Sequence, residues 1–101
     1  MKIGLVQQTC SPDKDANIAK SIAGIADCAR QGAELVVLQE LHCGIYFCQA
    51  EDTAMFDLAE PIPGPDTDVF AAAAKEHGVV LVSSLFEKRA PGLYHNTAVV
   101  F

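Results

Sequence analysis

The chain has 101 residues, half of them hydrophobic, and a formal net charge of −6. That length allows one domain with a core, although a domain this small buries only about two-thirds of its extended-chain surface. The acidic balance, with seven Lys and Arg residues and no basic run, disfavours nucleic acid and anionic membrane as partners and fits a cationic substrate or a basic partner.

The first apolar stretch, Met1 to Val6, turns polar at Gln7-Gln8, too soon for the h-region of a signal peptide. No run approaches the ~20 apolar residues of a membrane span. The expected compartment is the cytoplasm, with Cys10, Cys28, Cys43 and Cys48 as reduced thiols.

Ile3 to Gln7 reads as the first strand. Ser11-Pro12 reads as the opening of a helix, with Ser11 at the N-cap and Pro12 at the first helical position. Ile18, Ile22, Ile25, Ala26 and Ala29 then recur at helical spacing and form one apolar face, and Gly32 stops the helix. Leu35-Val36-Val37-Leu38-Gln39-Glu40 is an apolar strand that ends on a carboxylate. Four aliphatic residues in a row predict a strand buried on both faces of a parallel sheet. The strand–helix–strand order predicts a right-handed crossover.

Residues 42–65 form the irregular part, with a short helix expected within 50–58. Glu60-Pro61-Ile62-Pro63-Gly64-Pro65 cannot continue it, because three prolines remove donors and fix φ. A second helix begins near Asp66 or Thr67, presents Val69, Phe70, Ala73 and Ala74, and ends at Gly78. Val79 to Phe86 is the next strand, with Val79-Val80-Leu81-Val82 as its buried run. Pro91-Gly92 marks a turn, and Leu93 to Phe101 returns antiparallel as a hairpin. The fold class is therefore α/β in the order β-α-β-α-β-β. Its last element is an apolar strand without a polar tail, the expected look of a longer chain cut inside its sheet.

Ligands collect at the carboxyl ends of strands in open α/β sheets, and Glu40 stands at such an end. Burial there would raise its pKa toward the range of a general base; a cap or salt bridge is the alternative role. His42 with Cys43 and Cys48 has metal-binding residue types, but the C-x4-C spacing is wide and no second Cys/His pair follows, so no metal is expected. Cys10 follows the first strand and could lie near Glu40. A nucleophilic thiol there would need a cation, and Lys14, on an expected exposed turn, is the available one. His77 suits the helix C-terminus. No phosphate-binding glycine pattern is present, and Ser83-Ser84 lacks the context of an esterase elbow.

The ordered set K-I-G-L-V-Q-Q, Asn17 within the first helix, G-A-E-L-V-V-L-Q-E-L, I-P-G-P, K-E-H-G-V-V-L-V and L-Y-H-N-T-A-V-V-F resembles the N-terminal part of the nitrilase, or carbon–nitrogen hydrolase, superfamily over essentially the whole chain. Q-E-L-H-C-G-I-Y-F-C-Q and L-A-E-P-I-P-G-P resemble the branch that acts on N-carbamoylputrescine. Gln39 stands where many members of the broad family have proline, a departure shared with that branch.

The resemblance implies that residues 1–101 are the N-terminal segment of one α-β-β-α sandwich domain, incomplete at its C-terminus. It also implies a Glu-Lys-Cys triad of which only the glutamate, Glu40, falls in this chain. None of the four cysteines matches the nucleophile's motif, and neither Lys75 nor Lys88 matches the lysine's. The implied substrate is a small carbamoyl or amide compound, with no cofactor, and the complete protein is expected to be a homo-oligomer. Tyr46 and Phe47 follow Glu40 closely and are read as lining the pocket mouth, with ordinary loop packing as the alternative. Asn96 and Glu87 are expected to organise the hairpin. The competing reading is a small, self-sufficient α/β binding module that catalyses nothing; a fragment, unlike such a module, would expose long apolar strands.

Overall fold

A computed structural model describes residues 1–101. Four strands, β1 (Ile3–Val6), β2 (Leu35–Leu38), β3 (Val80–Ala90) and β4 (Leu93–Val100), form one sheet in the order β1-β2-β3-β4. The first three are parallel. β4 pairs antiparallel with β3 through a hairpin whose Gly92 has φ 76°, a left-handed value that favours glycine.

Helix α1 (Lys14–Arg30) joins β1 to β2, and helix α2 (Pro65–His77) precedes β3. The first helix starts two residues later than its Ser-Pro signal predicts. Asp13 is the N-cap, its carboxylate accepting from the Ala16 amide at 3.1 Å, while Ser11 Oγ accepts from the Asp13 amide at 3.2 Å and shapes the approach. The short helix within 50–58 is a 3₁₀ turn over Thr53–Leu58. α2 starts at Pro65, whose missing N–H costs nothing in a first turn. The Thr67 hydroxyl closes its N-terminus on both Gly64 backbone groups, accepting from the amide at 2.7 Å and donating to the carbonyl at 2.8 Å. Gly78, at φ 64°, ends it.

Both helices cover the same face of the sheet. Ile25 of α1, Phe70, Ala73 and Ala74 of α2, and Val36, Leu38, Leu81 and Leu85 of the strands make the core. Val69 of the predicted face is exposed instead. Side chains alternate across a strand, so the residues between the core positions point to the opposite face. Ile3, Leu5, Val80 and Val100 there are exposed, Leu5 by 77%, and Leu35, Val37 and Val82 are half-buried. β2 is thus buried on one face rather than two, and Val80 leaves the expected buried run. The second sheet of a sandwich would cover this side, and within these 101 residues nothing does. A face this apolar and open marks a surface that another layer or a partner covers.

The expected strand 79–86 runs on to Ala90, because β4 pairs with it to the turn. β2 pairs with β3 only as far as Val82. The edge of β3 that β2 leaves free is taken by Glu60, whose amide donates to the Phe86 carbonyl at 3.1 Å and whose carbonyl accepts from the Lys88 amide at 2.8 Å.

Helix α1 sits tightly on β1. A Cβ at Gly4 would come within 2.7 Å of Cys28 Cβ, a backbone-fixed atom that cannot step aside. Gly4→Ala is therefore expected to destabilise the fold by about 1–3 kcal/mol through overpacking, read as a lowered midpoint in urea unfolding at unchanged slope; an unchanged midpoint would contradict this packing.

Candidate active site

β2 ends at Leu38, and residues 40–43 turn sharply over the C-terminal ends of the parallel strands. Leu41 has φ 52°, a left-handed conformation that costs a non-glycine residue about 1–2 kcal/mol. Such strain persists only where the surroundings enforce it. Here the Leu41 side chain is buried, and its amide donates to Ser84 Oγ at 3.1 Å.

Glu40 precedes that turn on the uncovered side of the sheet. Its Oε1 accepts a 2.5 Å hydrogen bond from Asn96 Nδ2. Ser84 Oγ in turn donates to Asn96 Oδ1 at 3.0 Å, which fixes the amide so that its NH₂ faces the carboxylate. Glu40, Asn96, Ser84 and the Leu41 amide form one connected chain of hydrogen bonds across β2, β3 and β4. The expected burial of Glu40 is not found: it is exposed, because it lies above the face that these residues leave open.

Beside this chain lies a cavity of about 540 Å³. Leu41, Ile45, Phe47, Met55, Leu85 and Phe86 supply apolar wall, and Lys14, Glu60 and Asp66 form a charged end. Phe47 lines this cavity and packs on Phe86 with ring centroids 4.8 Å apart. Phe56 and Tyr94, 4.4 Å apart, pack behind Phe86 and do not line the cavity. Tyr46 does not line the cavity and is exposed. Its phenol pKa is raised by hydrogen bonding with Cys48 and by the charges of Cys48 and Glu40.

Lys14 is half-buried rather than exposed. Its ammonium bridges Glu60 Oε1 at 2.5 Å and Asp66 Oδ2 at 3.0 Å. Burial works to lower the Lys14 pKa, but hydrogen bonds to Glu60 and Asp66 outweigh it and leave it raised. Burial and the second carboxylate leave Asp66 raised as well, against the pull of Lys14. One ammonium is shared by two carboxylates, so it is not free to activate a thiol.

The cysteines lack a nucleophile's setting. Cys10 Sγ donates to the His42 carbonyl at 3.3 Å, and Gln39 Nε2 approaches it at 3.7 Å. Burial pushes the Cys43 thiol up to about 12. Cys28 packs against Gly4, and Cys48 is exposed beside Tyr46.

Glu87 organises the hairpin as expected, accepting from Thr97 Oγ1 at 2.7 Å and lying 3.6 Å from His95 Nδ1. Asn96, given the same role, instead holds Glu40. Its signal in the sequence is the alternation of β4: Asn96 and Ala98 share one face, and Ser84, the partner of Ala98, points the same way at the strand end nearest Glu40.

The family model for carbon-nitrogen hydrolases matches residues 2–101. The chain belongs to the carbon-nitrogen hydrolase family. It is 34% identical over 99 residues to an N-carbamoylputrescine amidase of Solanum lycopersicum, covering 97% of this chain and 33% of that protein. It is 29% identical over 101 residues to a citrullinase of Francisella tularensis, covering 99% and 35%, and 34% identical over 101 residues to an omega-amidase of Xenopus laevis, covering 99% and 35%. The crystal structure of a carbon-nitrogen hydrolase from Helicobacter pylori G27 superposes with a TM-score of 0.92 at 41% identity, covering all of this chain and 35% of that one. The chain spans about a third of the length of the curated relatives it matches, and its fold is that of the N-terminal part of a nitrilase-superfamily domain.

Behind the turn, His42 is fully buried, and desolvation lowers its pKa to about 4. The unfolded chain takes up this proton near pH 6.5 and the folded chain only near 4. This contribution to stability is therefore complete above pH 6.5 and falls by up to about 3 kcal/mol as the pH drops from 6.5 to 4. Urea unfolding at pH 7.5 and 4.5 should show this loss, and His42→Gln should remove most of it; an equal loss in the variant would assign it to other groups.

Proposed function

We propose that this chain is the N-terminal segment of a cysteine-dependent amidohydrolase that cleaves a non-peptide C–N bond, with Glu40 as its general base. The observation that carries the reading is the Glu40 carboxylate beyond the C-terminal end of β2, held on one oxygen by Asn96 and with the other unengaged by any side chain of the chain. An oriented carboxylate with a spare oxygen can take a proton from a thiol and later from water. The lysine and the nucleophilic cysteine of the proposed triad lie outside these 101 residues.

In this mechanism Glu40 takes the cysteine proton and the thiolate attacks the substrate carbonyl carbon. The lysine ammonium and backbone amides stabilise the oxyanion. Ammonia leaves after receiving the proton, Glu40 then activates the water that hydrolyses the S-acyl intermediate and frees the thiol, and the carbamic acid so released loses CO₂ to give the amine.

The substrate we infer is N-carbamoylputrescine, converted to putrescine, CO₂ and ammonia. Support comes from the tomato relative's name, N-carbamoylputrescine amidase, and from the acidic net charge, which suits a cationic amine. The name omega-amidase among equally similar relatives marks a simple amide as the competing substrate. The proposed enzyme is cytoplasmic and homo-oligomeric. No helix of the chain is long and apolar enough to cross a membrane.

Ammonia release from N-carbamoylputrescine by the full-length protein tests the reading. Glu40→Gln is expected to lower kcat by roughly 10²- to 10⁴-fold while the fold survives, and the 101-residue chain alone is expected to release none. Near-wild-type turnover by a folded Glu40→Gln variant would refute the assignment. Asn96→Ala, which frees the carboxylate to swing, is expected to lower kcat about 10- to 100-fold with a small change in KM; unchanged kcat would show that Asn96 does not orient the base.

A further inference from the structure

The turn that carries Glu40 is gripped from beneath by polar groups that the proposed chemistry does not use. His42 follows Glu40 by two residues. Its Nδ1 lies 2.9 Å from Ser21 Oγ on α1, and its Nε2 lies 2.8 Å from Ser83 Oγ on β3. Its ring meets Phe70 of α2 edge-on, with centroids 4.9 Å apart. The His42 carbonyl accepts from Gln8 Nε2 and Cys10 Sγ, each at 3.3 Å, and the Cys43 carbonyl accepts from Asn17 Nδ2 at 3.1 Å.

Ser21, His42 and Ser83 are all fully buried or nearly so. No charged side chain faces the ring; the Cys43 thiol, 3.8 Å from Nδ1, is the only other titratable neighbour. A neutral imidazole has one donor and one acceptor, so one serine donates to it and the other accepts from it. That arrangement fixes the ring's rotation as well as its position. A phenyl ring would fill the space against Phe70 without the cost of burying an imidazole, but it would leave the buried Ser83 hydroxyl without its partner. What the polar set adds is directional: it ties the turn to α1 and β3 at once, directly behind the left-handed Leu41.

We propose that His42, clamped between Ser21 and Ser83, is a positioning residue that enforces the Leu41 turn and so aims the Glu40 carboxylate at Asn96. The catalytic consequence rests on Glu40 being the general base, whereas the geometric consequence does not.

The test uses the full-length protein with N-carbamoylputrescine, at a temperature where circular dichroism shows each variant folded. His42→Phe should lower kcat about 30- to 100-fold, the scale of a misplaced catalytic group, with KM within about twofold. His42→Gln, whose amide offers both a donor and an acceptor, should recover much of the loss. A role in stability alone would lower the melting temperature and leave kcat intact, and that result overturns the proposal. If His42→Phe does not fold, Ser21→Ala and Ser83→Ala carry the same test, and unchanged kcat in both overturns it. Wild-type activity lost in Glu40→Gln but kept in the folded clamp variants would sink this inference and leave the amidase reading standing. If the wild type hydrolyses no carbamoyl or amide substrate, the amidase reading fails instead. A crystal structure of His42→Phe or Ser83→Ala then decides the geometry: Glu40 displaced from Asn96 supports the clamp, and an unmoved Glu40 overturns it.

Discussion

The left-handed turn at Leu41 is the constraint on which the site depends. It puts two adjacent residues to opposite uses: Leu41 goes into the core and Glu40 goes out over the strand ends. An ordinary extended continuation of β2 would carry the chain on along the sheet and take the carboxylate with it. The strain is held because the turn is tied on every side, by Ser84 at the Leu41 amide, by Ser21 and Ser83 at the His42 ring, and by Asn17 at the Cys43 carbonyl. Those ties come from α1 and β3, so the geometry of the turn depends on both elements.

The division of labour between the sheet's two faces follows from the same geometry. One face is closed by α1 and α2 and carries the core. The other is apolar over β1, β2 and the start of β3, and polar at Ser84 and Asn96, where Glu40 arrives. The polar patch is local and sits where the strand ends open, while the apolar remainder is the surface a second sheet layer requires. In the proposed enzyme that layer brings the cysteine and the lysine to Glu40, so the exposure of the carboxylate in these 101 residues and their lack of a nucleophile have one cause.

The fold was largely legible because its signals are local. Periodicity located both helices, the aliphatic run located β2, and Pro91-Gly92 located the hairpin. The place of Glu40 at the end of β2 was legible from the aliphatic run before it, whereas its proposed role came from the family resemblance and not from its position. What was not legible depends on contacts distant in sequence. Asp13 displaced Ser11 as N-cap because two capping residues compete within three positions. Lys14 was read as exposed because its partners, Glu60 and Asp66, lie some fifty residues on. Asn96 lies 56 residues from Glu40, and only the β3–β4 register brings it there. Tyr46 and Phe47 are neighbours in sequence, yet only Phe47 lines the cavity, since the loop is too irregular for alternation to predict.

The central claim is that Glu40 is the base for a cysteine thiol supplied by another part of the protein. The most direct measurement is the rate at which iodoacetamide alkylates that cysteine in the full-length protein between pH 5 and 9, in the wild type and in Glu40→Gln. The account predicts that the wild-type thiol reacts at neutral pH and that Glu40→Gln slows the reaction about 100-fold or more. Equal alkylation rates across that range would show that the cysteine does not depend on Glu40 and would contradict the account.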